Sequence, residues 1–364
     1  MQKLSAKKWL ISCISVFLAC LVVLMAVAYL FDPFIQYHMW PGKKIIADRY
    51  VLGGLIKNYD YDTTIIGSSM AQNFNVDMFR SAWGCKPVKL VYSGLTHNHV
   101  LTLYRMTQRK GKAKRFIINV DLHTFGRSGD PNNSVEVFPH YLYDFNLFND
   151  YRYLLGYIVW FEYIPANLAV NLAHYFEIEP LIKRFGNVAN IDDIGNWSKK
   201  YTSFGEDTVK QYYLSRDGVS DINLDRLEER MTREIDLYLE TIRQDLRPET
   251  QITFVFPPYS ALYWHTTKKN GYMDQFLRTK LYFVSQAEQI QGVDIVDVQD
   301  FIEITDLNYY KDSTHYGPYL QDKMTEAILS GTHRVNSETV LDTERNLRVL
   351  VTLFESANQE WLPD

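Results

Sequence analysis

Hydrophobic and polar positions divide the chain into three regimes. Residues 9–30, WLISCISVFLACLVVLMAVAYL, are apolar without one charge. A helix of that length spans about 33 Å at 1.5 Å per residue, enough for the hydrocarbon core of a bilayer, so one transmembrane helix is predicted there after a short tail, residues 1–8. Residues 31–60 are polar and aromatic with little periodicity and read as an approach segment. From residue 61 short apolar runs alternate with amphipathic stretches. The runs are 63–67 (TTIIG), 88–93 (VKLVYS), 115–120 (RFIINV), 251–256 (QITFVF) and 293–298 (VDIVDV). Their length and β-branched content predict strands, the last but one stopped by Pro257-Pro258. Helices are expected over 70–82, 98–109, 224–246 and 273–290.

Short apolar strands separated by amphipathic helices imply βαβ units, hence a parallel sheet covered on both faces. The fold class expected is α/β, a three-layer α/β/α sandwich over 61–330 preceded by the transmembrane helix. The alternation breaks over about 125–223. That stretch holds an aromatic run, HYLYDFNLFNDYRYLLGYIVWFEYI, and a polar region around Trp197 to Asp217. Its Asp, Asn and Arg residues exclude a second membrane span. It reads either as an insertion at the carboxyl edge of the sheet, where lids sit, or as ordinary core helices. Residues 331–364 read as a helical appendage without chemistry.

Charge and cysteine content narrow the function. A net charge of −5 and no basic stripe exclude a nucleic-acid partner. Lys3, Lys7 and Lys8 precede the apolar segment, so the positive-inside rule places the N-terminus in the cytoplasm and the rest outside a cell membrane crossed once; Lys43 and Lys44 reduce that bias. Phe17-Leu18-Ala19-Cys20 faintly matches a lipoprotein processing site, but the apolar run continues past Cys20, which suits an uncleaved anchor. Cys13 and Cys20 lie in the anchor, leaving Cys85 alone and expected to be a buried small apolar residue, with no disulfide framework.

Two places carry chemistry. Ile65-Ile66-Gly67-Ser68-Ser69-Met70 puts a serine directly after a strand, at the carboxyl edge where ligands bind in a parallel sheet. If a helix follows, the Ser69 N–H lies at its N-terminus and can help hold an oxyanion; taken alone, a serine there is also an ordinary cap. Asp312-Ser313-Thr314-His315 follows the last strand. A serine nucleophile needs a base and a group that orients the base, and a D-x-x-H turn supplies both. His97 and His99 follow Gly94, but helix residues two apart diverge, so no metal site and no cofactor are expected. Tyr259 and Ser260 end the fourth strand at the same edge and are candidates to line a pocket.

Together, Gly67-Ser68-Ser69, Gly94 in VYSGLTHN and the late DSTH resemble the SGNH/GDSL hydrolase superfamily across most of 60–330. The resemblance implies Ser69 as nucleophile, His315 as base, Asp312 as its orienter, and backbone N–H groups of Ser69 and Gly94 as the oxyanion hole. Ser68 stands where the superfamily usually has Asp. Where it usually has Gly-x-Asn-Asp, this chain has Asn119-Val120-Asp121-Leu122-His123. Asp121 is a poor substitute for the Asn, since a carboxylate repels developing negative charge. Ser68, Asp121, Tyr259 and Ser260 are the expected pocket residues, and Ser68 stays open as an alternative nucleophile. The anchor, GSS and DSTH are most similar to membrane-anchored extracytoplasmic members such as the D-alanyl-lipoteichoic acid transfer and alginate O-acetylation proteins. The function so implied is transfer of an acetyl or D-alanyl group to or from a cell-surface polymer beside a membrane-bound O-acyltransferase. The alternatives are a carbohydrate esterase or deacetylase, and a non-catalytic scaffold binding a polymer or acyltransferase.

Overall fold

Five short strands pair in parallel in the order β2-β1-β3-β4-β5: β1 (Thr63–Gly67), β2 (Pro87–Val91), β3 (Arg115–Asn119), β4 (Gln251–Phe256) and β5 (Val293–Asp297). The computed structural model of the protein describes residues 6–40, 44–46, 49–126, 138–184, 188–189, 194, 196, 203–215 and 224–362. The chain divides into two compact units, one of Met1–Tyr59 and Pro139–Asn190, the other of Asp60–Phe138 and Ile191–Asp364.

The second unit holds the sheet. All of β1 and β2 is buried, as strands covered on both faces require. Ile65, Ile66, Ile117, Ile118, Phe254 and Val255 are at most 1% exposed, and each such side chain contributes about 1.5–3 kcal/mol by leaving water. Helix Val76–Trp83 packs on β2 and on helix Pro318–Ser330. Helix His97–Lys110 packs on β1 and on helix Leu227–Asp245, which in turn meets helix Met273–Ala287. From β1 the chain runs outward to β2 and then returns past β1 to β3. A reversal of this kind opens a crevice at the carboxyl ends of the two strands that flank it, here β1 and β3.

The strands lie within two residues of their expected limits. The helix expected over 70–82 does not form as one piece. Ser69–Ala71 makes a single 3-10 turn, and the helix starts only at Val76, where the Asn75 side chain accepts the Asp77 N–H at 3.1 Å. Asparagine there offers the backbone a local partner that competes with helix extension, and so sets the later start. The closing residues join the second unit: helix Val340–Ala357 buries Leu347, Val351 and Phe354 against helices Ala261–Lys269 and Met273–Ala287.

The first unit begins with the apolar helix, Ala6–Phe31, the one described helix long and apolar enough to cross a membrane. Asp32 ends it and gathers four donors: the N–H groups of Gln36, Tyr37 and His38 at 2.9–3.0 Å and the Tyr153 hydroxyl at 2.7 Å. Phe34 stacks on Tyr50 and Tyr153 beside it. The stretch over 125–223, read either as an insertion or as core helices, is divided between the two units. Its described residues from Pro139 to Ala189 belong with the N-terminal residues, and those at 125–126, 138, 194, 196 and 203–215 belong with the sheet. Residues 127–137, 185–187, 190–193, 195, 197–202 and 216–223 lie outside the described residues.

Candidate functional site

Ser69, Asp312 and His315 meet at the carboxyl edge of the sheet. Ser69 stands two residues beyond β1, and its Oγ lies 2.8 Å from His315 Nε2. The other ring nitrogen, Nδ1, lies 2.8 Å from Asp312 Oδ2 and 2.9 Å from Oδ1. An ionised carboxylate only accepts, so Nδ1 carries the ring proton and Nε2 is left to accept from the serine hydroxyl. Burial pushes the Asp312 carboxyl up, but the His315 side chain and the N–H groups of His315 and Thr314 outweigh it and hold the carboxyl at about 2. Those N–H groups reach Asp312 Oδ1 at 2.8 and 2.9 Å. Asp312 is therefore charged at any pH at which the protein would work, and it fixes both the tautomer and the orientation of the ring.

The D-x-x-H turn is a tight loop closed by paired Tyr310 and Tyr316, with Lys311 N–H donating to the His315 carbonyl at 2.9 Å. Buried hydroxyls tie it to its surroundings. Tyr316 donates to the Met70 carbonyl at 2.8 Å, linking the residue after the histidine to the residue after the serine. Ser260 donates to the Ser313 carbonyl at 2.6 Å, and Tyr310 to the Pro258 carbonyl at 2.8 Å. Distances set by a network of this kind are less free to drift than those of surface side chains. Gly205 N–H also donates to the Tyr310 carbonyl at 3.0 Å, which brings the start of helix Glu206–Ser215 onto this loop.

Ser68 is placed differently from Ser69. Its hydroxyl donates to Asp121 Oδ2 at 2.5 Å, while its Oγ accepts the Met70 N–H at 3.3 Å. Asp121 also takes the Tyr259 hydroxyl at 2.5 Å and the Asn119 amide at 2.9 Å, both on Oδ1. One carboxylate thus anchors the turns after β1, β3 and β4 together. Burial, and after it the Asp121 charge, push the Tyr259 phenol well above the ordinary tyrosine range, so it stays a neutral donor. The four residues expected to line a pocket are all buried: Ser68, Asp121, Tyr259 and Ser260 are 7, 6, 2 and 0% exposed. They form a support beneath the Ser69 turn, and Asp121 also lines a small cavity with Leu95, His97 and Asn119. Ser260 also caps helix Ala261–Lys269 by accepting the Tyr263 N–H at 3.2 Å.

Two glycines fit the backbone requirements of the edge. Gly67 ends β1 where an added Cβ would lie 2.8 Å from the Cβ atoms of both Ala71 and Asn119. Gly94 has φ +78° in a turn closed by Leu95 N–H to the Tyr92 carbonyl, and an added Cβ there would meet nothing within 4 Å. Since Ser69 opens a 3-10 turn, the expectation that its N–H lies at the start of a following helix is corrected: no helix macrodipole backs it. Asn119, which the sequence pattern passed over, is engaged with Asp121 and sits before it rather than after a glycine.

His97 and His99 diverge as their spacing requires. His97 Nε2 lies 3.4 Å from Glu234 and its ring stacks on Phe125; His99 meets Thr96 and stacks on Phe138. Among the described residues no group of three or more His, Cys, Asp or Glu is arranged to hold a metal. Cys85 is 3% exposed and donates to the Phe79 carbonyl. Sequence reasoning also missed Lys89. It lies inside β2 at 1% exposure and donates to the Gln72 carbonyl at 2.8 Å, bracing the turn that carries Ser69. Its signal was a lone cation in an otherwise apolar strand. No protein-family model matches this chain, and no curated protein matches it either.

Proposed function

We propose that the chain is an SGNH-like serine acyl-transfer protein, with the second unit a three-layer α/β/α sandwich held outside the cell membrane by the N-terminal helix. The observation that carries this reading is the Ser69–His315–Asp312 relay, with its two contacts at 2.8 Å each. In the proposed reaction Ser69 Oγ attacks an acyl carbonyl while His315 Nε2 takes the hydroxyl proton. The tetrahedral oxyanion is met by the Ser69 and Gly94 N–H groups. His315 then gives its proton to the departing alkoxide, leaving an ester on Ser69. A hydroxyl of the acceptor repeats the sequence in reverse and releases the serine.

The acyl group is acetyl or D-alanyl and the acceptor or donor a cell-surface polysaccharide or teichoic acid, with a membrane-bound O-acyltransferase as partner. Those identities rest on the resemblance of GSS, Gly94 and DSTH alone. With water as acceptor the same relay makes the protein an esterase or deacetylase. One observation favours a second reading, a non-catalytic scaffold: the place of the usual oxyanion Asn is taken by Asp121, whose carboxylate already accepts from three groups.

A fluorophosphonate separates the readings, because it reports an activated serine whatever the acceptor. Wild type should be labelled, Ser69→Ala should not, and His315→Ala should be slowed by about 10³-fold or more. Ser68→Ala should keep most of the labelling. No labelling of folded wild type would discard the acyl-transfer reading in favour of the scaffold.

A further inference from the structure

The first unit carries a surface that water does not suit. Between Phe145 and Leu181 thirteen large apolar side chains are exposed, against nine across the described part of the whole second unit. Phe148 is 94% exposed, Tyr175 80%, and Tyr157 and Phe161 70% each. Tyr157 and Phe161 stack on each other where the chain enters the π-helical turn Val159–Tyr163, and along the α-helix that follows the spacing puts Leu168, Leu172 and Tyr175 on one face. Val170 and Ala173, on the other face, are buried. Helix Ile164–Tyr175 therefore turns an apolar side outward as well as inward. From Ile158 to Phe176 the only formal charge is Glu162. Monomers in water rarely expose a contiguous patch of this kind, so the face has an occupant.

We infer that this occupant is the lipid bilayer itself: residues 157–176 lie in the membrane interface beside the N-terminal helix, and the cavity between them takes a lipid acyl chain. Three observations favour lipid over a second copy of the chain. The face belongs to the same compact unit as helix Ala6–Phe31, which packs on Tyr151–Leu154, so it continues an apolar surface long enough to span a membrane. Its tyrosines, Tyr157 and Tyr175, with Trp40 at 53% exposure, are the amphipathic ring types that settle at headgroup level, and its phenylalanines are apolar rings of the kind that dip below it. A cavity of about 610 Å³ opens where the last turn of the apolar helix, Leu30 and Phe31, meets Ile164 and Leu168. That volume falls in the range of small-molecule sites, roughly 300–1,000 Å³. Asn167 also lines the cavity at 5% exposure; its amide donates to the Tyr163 carbonyl at 2.9 Å, and its Oδ1 has no partner among the described residues. Lys44, Asn171 and His174 share the lining, and His174 Nε2, like Asn167 Oδ1, is buried with no partner among the described residues, so the cavity offers polar groups to a phospholipid headgroup beside apolar wall for its chain.

The test uses the full chain in phospholipid vesicles, with the photoreactive residue p-benzoylphenylalanine placed at Phe161, Leu172 or Tyr175. The control position is Leu237, an exposed leucine of the second unit. Illumination followed by mass spectrometry should show phospholipid adducts at the first three positions and none at Leu237. Adducts joining two copies of the chain, or no lipid adduct at the first three, would overturn the inference. A second measurement addresses the cavity. Native mass spectrometry of the detergent-exchanged full chain should show retained phospholipid that Leu168→Trp displaces, with fluorophosphonate labelling of Ser69 unaffected. Phospholipid retained equally by Leu168→Trp would refute the cavity assignment. Because the labelling arm is separate, failure here leaves the acyl-transfer reading standing, and the reverse.

Discussion

Replacing Asp121 with alanine probes the support beneath the nucleophile. The carboxylate receives three donors, from Ser68 and Tyr259 at 2.5 Å and from Asn119 at 2.9 Å, at 6% exposure. Hydrogen bonds to a charged group contribute about 1.5–3 kcal/mol each, and a buried donor left unpaired costs about 1–3 kcal/mol. Against this, removing a buried charge relieves a desolvation cost of several kcal/mol, so the net loss expected is about 3–5 kcal/mol. Asp121→Asn keeps the volume and one acceptor oxygen and should lose only about 1–2 kcal/mol. Urea unfolding of the full chain in detergent can follow this by tryptophan fluorescence, since Trp264 is buried on the helix that Ser260 caps. The same change loosens the turn bearing Ser69. Misplacement by about 1 Å costs up to about 10²-fold in rate, so fluorophosphonate labelling should slow by that order in Asp121→Ala and less in Asp121→Asn. A loss under about 1 kcal/mol with an unchanged labelling rate would refute the reasoning, because three buried donors would then have found no use for the carboxylate.

Other consequences follow from the same geometry. Asp312→Asn should keep the fold but offer His315 the wrong partner and tautomer, slowing Ser69 labelling by about 10³–10⁴-fold; an effect below tenfold would contradict the assigned role. The Asp312 carboxyl falls from an ordinary 3.8 to about 2 in the folded protein. At 1.36 kcal/mol per pH unit that contributes about 2 kcal/mol, present in full above pH 3.8 and lost as pH falls toward 2. The stability gap between wild type and Asp312→Ala, measured by denaturant titration, should narrow over that window. Gly67→Ala forces a methyl to within 2.8 Å of two neighbouring Cβ atoms and should destabilise by about 1–3 kcal/mol through overpacking. Gly94→Ala meets open space and should cost only the strain of φ +78°, about 1–2 kcal/mol. A midpoint of unfolding left unchanged by Gly67→Ala would be evidence against the described packing.

What the sequence made legible depended on how local the cause was. The five strands are written in short β-branched runs, and the apolar helix in a segment free of charge, so a window of a few residues suffices for each. The nucleophile turn was misread as a helix start because Asn75 caps a later one, a competition that helix-forming composition over 70–82 does not reveal. Tyr259 and Ser260 were expected to line a pocket. A strand end fixes their place at the edge of the sheet, but not whether the hydroxyls turn toward solvent or, as here, toward Asp121 and Ser313. Asp121 looked like a defective oxyanion residue in one dimension; its use as an anchor depends on β4 lying beside β3, a contact 138 residues apart in the chain. Lys89 and the Tyr316 link to Met70 are of the same kind. The partition of 139–190 into the unit of the N-terminal helix was equally out of reach, because no periodicity marks which distant segment an aromatic face packs against.

The central claim is that Ser69 accepts an acyl group. The most direct measurement is peptide mapping by mass spectrometry after brief exposure of the full chain to an activated acetyl ester and quenching in acid. The account predicts one acetyl group on Ser69, absent from Ser69→Ala and His315→Ala and retained in Ser68→Ala. An acetyl group on Ser68 in place of Ser69, or an unmodified protein that is otherwise folded, would contradict it.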